Sequence, residues 1–124
     1  MSRQKIIIVD DERVISDSLA VIFEKAGYET RAAYSAEQAL EVIARWQPNL
    51  AILDVVLPNM SGIDLAILLQ SSHPAIAVML ISGHVATAGL ITKAAVRGHR
   101  FDVHSKPVPI PDFLAHVSKS LAAP

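Results

Sequence analysis

Five polar residues with complementary chemistry stand at corresponding places along the chain. They follow four predicted strands: Asp10 and Asp11 after the first, Asp54 after the third, Ser82 after the fourth and Lys106 after the fifth. Three carboxylates held close together repel one another, and a cation relieves that repulsion. Oxygen ligands without His or Cys favour a hard ion such as Mg²⁺, which also binds phosphate oxygens. We therefore predict Mg²⁺ as the cofactor, with Asp10, Asp11 and Asp54 among its ligands.

The other two groups indicate what the metal would help to bind. An anion attracted by a metal, the Lys106 ammonium and the Ser82 hydroxyl is most simply a phosphoryl group. Asp54, between them, would be a carboxylate nucleophile of the aspartyl-phosphate kind. Transfer would then depend on positioning and charge stabilisation. The predicted catalytic residues are thus Asp54, Ser82 and Lys106.

Alternating strands and helices are what would bring these residues together. Short apolar runs predict strands over residues 5–9, 49–53 and 75–81, a more polar segment predicts one over 28–33, and a segment interrupted by Asp102 and His104 predicts a poor strand over 101–105. Helical spacing of apolar residues predicts helices over 12–26, from Ser35 to before Pro48, and over 62–70, 85–97 and 110–121. Five βα units predict a parallel sheet with helices on both faces. Ligands of such sheets bind outside the carboxyl ends of the strands.

Composition restricts the classes of protein that the chain can belong to. Its 124 residues, 52% of them hydrophobic, fit one compact domain over residues 1–124 with a core from about 4 to 122. A net charge of -1 gives no electrostatic attraction to nucleic acid or to anionic membranes. No run has the length of a secretory signal or of a membrane span. We expect a cytoplasmic protein with no direct contact to nucleic acid or membrane.

Four segments resemble the signature blocks of response-regulator receiver domains, in the same order and at similar spacing. They are IIIVDDE, LAILDVVLPNMSGIDL, VMLISGH and FDVHSKPV. The resemblance covers essentially the whole chain and implies a flavodoxin-like (βα)5 doubly wound fold, a five-stranded sheet of order 2-1-3-4-5. It further implies that Asp54 is the phosphoacceptor, that Asp11 binds Mg²⁺ directly and Asp10 mainly through water, and that the backbone carbonyl of Val56 is a ligand.

The same resemblance implies roles for the remaining site residues and for partners. Ser82 would hydrogen-bond the phosphoryl group as the switch hydroxyl, and Lys106 would pair with a phosphoryl oxygen. The phosphoryl donor would be a sensor histidine kinase or a histidine phosphotransfer protein. The output would be a downstream protein, a tethered effector domain or a phosphorylation-dependent homodimer. Such a switch is not an enzyme beyond its own phosphorylation and dephosphorylation.

Two valines bear on how such a switch would work. Val103 occupies a position where receivers usually carry Tyr or Phe, while Phe101 lies two residues earlier on the same strand face. This departure leaves open an alternative, a degenerate receiver that serves only as a docking or dimerisation module. Val56, two residues after Asp54, is expected to hinder attacking water and to lengthen the life of the phosphoryl group.

Other functions fit the residues less well. A phosphatase of the haloacid dehalogenase type needs a second Asp where Val56 stands, and no glycine-rich nucleotide-binding motif occurs. Asp10 and Asp11 are expected to cap the first helix as well as to bind metal. The five histidines show no metal-ligand spacing and are expected to be surface or partly packed residues.

Overall fold

The computed structural model describes residues 3–83, 101–106 and 108–122. The elements are β1 (Lys5–Val9), α1 (Arg13–Lys25), β2 (Glu29–Ala33), α2 (Ala36–Arg45), β3 (Leu50–Asp54), α3 (Gly62–Ser72), β4 (Ala77–Ser82), β5 (Asp102–Ser105) and α4 (Ile110–Ala122). The predicted helix over residues 85–97 lies outside the described residues. Within the described ones the alternation of strands and helices is the predicted one.

The five strands form one sheet in the order β2-β1-β3-β4-β5, and every neighbouring pair is parallel. This confirms the predicted fold class and strand order. The chain moves outward in one direction from β1 to β2 and in the other from β3 to β5, so the order reverses between β1 and β3. The carboxyl ends of these two central strands therefore flank the crevice where ligands bind in doubly wound sheets.

Two apolar clusters cover the two faces of the sheet. On one face, α2 and α3 pack their buried residues, such as Ile43 and Leu69, against Ile7 and Leu53. On the other face, residues of α1 and α4 pack against Ile6, Ile8, Leu50 and Ile52. Burial on both sides explains why β1 and β3 are apolar almost throughout. No helix in the described ranges has both the length and the apolar character that crossing a membrane requires.

The turn from α1 into β2 follows the predicted helix stop. Gly27 directly follows the C-cap residue Ala26 and has a φ of 105°. The N–H of Gly27 donates to the carbonyl of Glu24, and that of Tyr28 donates to the carbonyl of Phe23, both at 3.1 Å. These are the two hydrogen bonds of a Schellman motif, which requires a left-handed residue at that place. A glycine is therefore needed here for its backbone conformation.

Candidate functional site

The carboxyl ends of the strands bring the predicted residues to one edge of the sheet. Asp54 is the last residue of β3, and Ser82 is the last residue of β4. Asp10 directly follows β1, whose last residue, Val9, lies beside Leu53 of β3. Lys106 directly follows Ser105, which lies beside Ser82, and the N–H of Lys106 donates to the Ser82 carbonyl at 2.9 Å. The parallel register thus gathers residues that are far apart in the chain.

Three carboxylates meet at this edge. Asp10, Asp11 and Asp54 each offer an oxygen atom that lies within 4.8 Å of the others. Asp10 has no exposed surface and Asp54 is 5% exposed, whereas Asp11 is exposed. A cluster that combines two buried carboxylates with one in contact with solvent suits a hard divalent cation, which keeps some of its water ligands. The donor set therefore fits the predicted Mg²⁺.

The ammonium group of Lys106 bridges the two buried carboxylates. Its Nζ lies 2.8 Å from Oδ2 of Asp10 and 3.1 Å from Oδ2 of Asp54. Sequence reasoning brought Lys106 to the site, but it did not predict that one ammonium contacts both carboxylates. Because both carboxylates are almost sealed from water, the ammonium of Lys106 compensates part of their charge.

The electrostatics of this cluster follow from burial. Burial raises the pKa of the Asp54 carboxyl, and the charge on Asp10 acts in the same direction. The hydrogen bond from Lys106 and the one from the Val56 backbone oppose that rise without cancelling it. Burial also disfavours the charge on Lys106, but its hydrogen bonds to Asp10 and Asp54 outweigh this and raise the pKa of the ammonium. The site is therefore short of positive charge while Lys106 stays protonated.

The loop after β3 lies against Asp54. The N–H of Val56 donates to Oδ1 of Asp54 at 3.3 Å, and the N–H of Val55 donates to the carbonyl of Ile81 at 3.0 Å. The side chain of Val56 is 42% exposed, next in the chain to buried Val55. Val56 is therefore tied to the Asp54 carboxylate through its backbone and has a solvent-exposed side chain.

The predicted capping role of the acidic pair is wrong. The N-cap residue of α1 is Glu12, and no side chain caps this helix end. Asp10 instead accepts a hydrogen bond from the N–H of Glu12 at 3.0 Å, before the helix begins. The other oxygen of the Asp10 carboxylate contacts the ammonium of Lys106, so this carboxylate belongs to the site.

Residues 101–105 carry the departure from the receiver pattern. Val103 and Phe101 are half-buried, and both pack against the apolar cluster on the face of α2 and α3, as strand alternation predicts.

On the opposite face of β5, His104 packs on His116 with ring centroids 4.1 Å apart. Nε2 of His104 lies 3.0 Å from Oδ2 of Asp102, but not in line for a hydrogen bond. These histidines are partly packed, and among the described residues the only group that meets the spacing of a metal site is the acidic cluster.

Sequence reasoning missed one contact of the site. Gly62 had no predicted role beyond the start of the helix over residues 62–70, yet its α-carbon lies directly against the backbone of Asp54. The signal was a glycine at the first position of a helix, directly after the capping residue Ser61. Glycine is a poor helix residue there, so its presence needs another cause.

Comparisons with known proteins agree with this geometry. The sequence profile of the response regulator receiver domain matches residues 6–118. The chain is 36% identical over 108 residues to the response regulator protein PilR of Pseudomonas aeruginosa, which is 87% of this chain and 24% of PilR. It is 40% identical over 106 residues to the nitrogen assimilation regulatory protein NtrX of Azorhizobium caulinodans, which is 82% of this chain and 22% of NtrX.

A solved structure extends the similarity to the fold. The CheY-like receiver domain protein of Methanospirillum hungatei superposes with a TM-score of 0.87 at 29% identity, covering 97% of this chain and 94% of that one. The chain spans about a quarter of the length of PilR and NtrX, at 24% and 22%. The match to the profile covers most of the chain and includes Asp10, Asp11, Asp54, Ser82 and Lys106. The chain therefore belongs to the response regulator receiver domain family of two-component signalling.

Proposed function

We propose that this receiver accepts a phosphoryl group on Asp54 from a histidine kinase or a histidine phosphotransfer protein. The observation that carries the proposal is the bridge from Lys106 to both Asp10 and Asp54 within the cluster of three carboxylates. Core packing has no use for two buried carboxylates and an ammonium at the ends of central strands, because burying each charge costs free energy. A phosphorylation site requires these groups.

The transfer would exchange one bond to phosphorus for another. The bond between phosphorus and the donor imidazole nitrogen breaks and a carboxylate oxygen of Asp54 forms the new bond. The donor ring carries a proton on its other nitrogen, so it leaves as neutral imidazole. Lys106 would pair with a phosphoryl oxygen, and the Ser82 hydroxyl would donate to another. Mg²⁺ held by Asp10, Asp11, Asp54 and the Val56 carbonyl would supply further positive charge to the phosphoryl oxygens.

The phosphoryl group would act as a switch, since it changes the charge that Lys106 and Ser82 meet. It carries about −1.5 to −2 charges and three strong acceptor oxygens, so it draws both groups toward itself. Ser82 ends β4, and Lys106 precedes the loop to α4. Movement of these two residues would alter the surface that a partner or a tethered effector domain contacts. The chain would turn over no outside substrate, and its proposed place of action is the cytoplasm.

A second candidate is a receiver that docks or dimerises without being phosphorylated. The observation that favours it is Val103, which offers no aromatic ring to follow the movement of Ser82. Against it stands the acidic cluster with Lys106, which a docking module does not need. We therefore rank phosphorylation first.

Intact mass after incubation with acetyl phosphate and Mg²⁺ tests the proposal. We expect one phosphate adduct, labile to hydroxylamine, in the unaltered protein and in the control Asp112→Asn, which removes an exposed carboxylate from the first turn of α4. Asp54→Asn should show no adduct, and neither should the unaltered protein without Mg²⁺. No adduct in any sample, together with no binding of Mg²⁺ or beryllofluoride, would leave the docking module as the better reading.

A further inference from the structure

The first residue of α3 lies against the backbone of the phosphoacceptor. A methyl group built on Gly62 would overlap the carbonyl oxygen of Asp54 and would lie 2.7 Å from its carbonyl carbon and 3.0 Å from the α-carbon of Val55. These three main-chain atoms leave no room for a side chain at residue 62. The contact joins the start of α3 to the residue that we propose to be phosphorylated.

The backbone conformation of Gly62 does not call for glycine. Among the described glycines only Gly27 has a positive φ, and alanine is the better helix former at an ordinary helical position. The cap of the helix comes from Ser61, whose Oγ accepts from the N–H of Asp64 at 3.1 Å. The contact with Asp54 is therefore the physical reason for a glycine here.

Neither partner of this contact is free to move away. The Asp54 residue pairs with Ile81 in the sheet, and the N–H of Val55 donates to the Ile81 carbonyl at 3.0 Å. The N–H of Gly62 donates to the carbonyl of Val55 at 2.8 Å, which ties the start of α3 to the same peptide group. Behind it, α3 is anchored by fully buried Leu65 and Leu69.

We propose that Gly62 is a positioning residue for Asp54, which lets α3 seat directly on the phosphoacceptor backbone; this inference rests on the proposed phosphorylation. A side chain at residue 62 would displace the end of β3 or the loop that follows it. The carboxylate of Asp54 would then shift relative to Lys106, 3.1 Å away, and the Val56 N–H that donates to it would shift as well. Phosphoryl transfer depends on that positioning, and a misplacement of about 1 Å can cost about 100-fold in rate.

The test compares Gly62→Ala with Gly27→Ala at a condition where circular dichroism shows both proteins fully folded. Both variants strain a glycine site, but a methyl on Gly27 meets nothing within 4 Å and Gly27 lies at the far end of α1. With acetyl phosphate and Mg²⁺, we expect Gly62→Ala to be phosphorylated about 10 to 100 times more slowly than the unaltered protein. Gly27→Ala should stay within about two-fold, because surface changes distant from a site rarely disturb it.

A second readout does not depend on reactivity. Binding of Mn²⁺, followed by the electron paramagnetic resonance of the free ion, should weaken in Gly62→Ala and stay unchanged in Gly27→Ala. Equal phosphorylation rates and equal Mn²⁺ affinities in the two variants would overturn the positioning role. If the unaltered protein itself takes up no phosphoryl group, the proposed function fails, which is a different result.

A measurement on the unaltered protein covers the case in which Gly62→Ala does not fold. With ¹⁵N-labelled glycine the amide signals of the five glycines in the chain can be followed as Mg²⁺ and beryllofluoride are added. The Gly62 amide, which donates to the Val55 carbonyl beside Asp54, should shift strongly, while the Gly27 amide should not. A Gly62 signal that stays in place when beryllofluoride binds would contradict the proposal.

Discussion

The interiors and the ends of the two central strands are buried alike and differ in what burial does to them. Ile8 and Ile52 have no exposed surface, and the carboxylates that follow their strands are almost as inaccessible, with Asp10 at 0% and Asp54 at 5%. Burying an isoleucine contributes about 1.5–3 kcal/mol to stability. Burying a carboxylate instead costs free energy unless a partner compensates its charge. The buried carboxylates at the strand ends therefore lower the stability of the fold unless a positive charge compensates them.

This difference separates the apolar interior, which stabilises the fold, from the charged cluster at the strand ends, which forms the site. The apolar interior packs the sheet against its helices through side chains that carry no charge. The acidic cluster depends on positive charge, which Lys106 supplies at 2.8 Å and 3.1 Å from the two buried carboxylates. An added cation or phosphoryl group would compete for these contacts of Lys106, while the apolar interior would keep its packing. That sensitivity is what a phosphorylation switch needs.

Lys106→Met should impair both phosphorylation and stability, because it removes the ammonium and keeps much of the side-chain volume. We expect phosphorylation by acetyl phosphate to slow by about 100-fold, since one charge-stabilising donor is lost. The protein should also lose about 1–3 kcal/mol of stability at pH 7, because Asp10 and Asp54 are left uncompensated while Lys106 itself is partly solvated. Urea unfolding with and without Mg²⁺ measures this loss, and Mg²⁺ should restore much of it.

The matched control for Lys106→Met is Ile52→Ala in the strand interior. It should lose about 2–5 kcal/mol, as expected for a large buried side chain. Mg²⁺ should stabilise Ile52→Ala only as much as it stabilises the unaltered protein, because the cavity lies in the apolar interior. If Mg²⁺ stabilised Ile52→Ala as much as Lys106→Met, the proposed division between framework and charged edge would be wrong.

Asp54→Asn should change stability in the opposite direction and by less. Burial raises the pKa of Asp54 above its ordinary value of 3.8, so at neutral pH the folded state bears the cost of an ionised carboxylate. Asparagine removes that cost, and we expect a gain of about 1 kcal/mol at pH 7 without Mg²⁺. The gain should shrink as the pH falls through the raised pKa and vanish below about pH 4, where the aspartate is protonated in both states.

Unfolding by urea between about pH 4 and pH 7, in the absence of metal, measures whether Asp54→Asn gains or loses stability. Asp112→Asn serves as the control, because it removes an exposed carboxylate from the first turn of α4. A negative charge near a helix N-terminus is favourable, so this control should lose a little stability at pH 7. An Asp54→Asn protein less stable than the unaltered one at pH 7 would show that Lys106 fully compensates the buried charge.

The sequence was sufficient for those features that depend on local pattern and on parallel topology. Apolar runs predicted β1 and β3, and the polar residues after them could be expected to meet because parallel strands end at one edge. The helix predicted from Ser35 does begin there, with Ser35 as the N-cap of α2, whose Oγ accepts from the N–H of Gln38 at 3.1 Å. Such features involve neighbours in sequence or the order of strands, and both leave traces in a single chain.

Contacts that depend on three-dimensional packing were not predictable in the same way. The capping role given to Asp10 was wrong, because its side chain turns to Lys106 across the edge of the sheet. The double contact of Lys106 depends on the rotamers of groups 52 and 96 residues away. The contact between Gly62 and Asp54 depends on how α3 seats on β3, which a sequence pattern does not specify.

Val56→Asn should leave stability nearly unchanged and should alter only the life of the phosphoryl group. The side chain is 42% exposed, so we expect a change within about 0.5 kcal/mol. Apolar Val56 cannot hydrogen-bond a water molecule near Asp54, whereas asparagine can hold and orient one. Dephosphorylation in Mg²⁺, followed by intact mass, should therefore become several-fold faster, while Val21→Asn on exposed α1 should not change it. Slower loss of phosphate in Val56→Asn would mean that this residue does not limit the access of water.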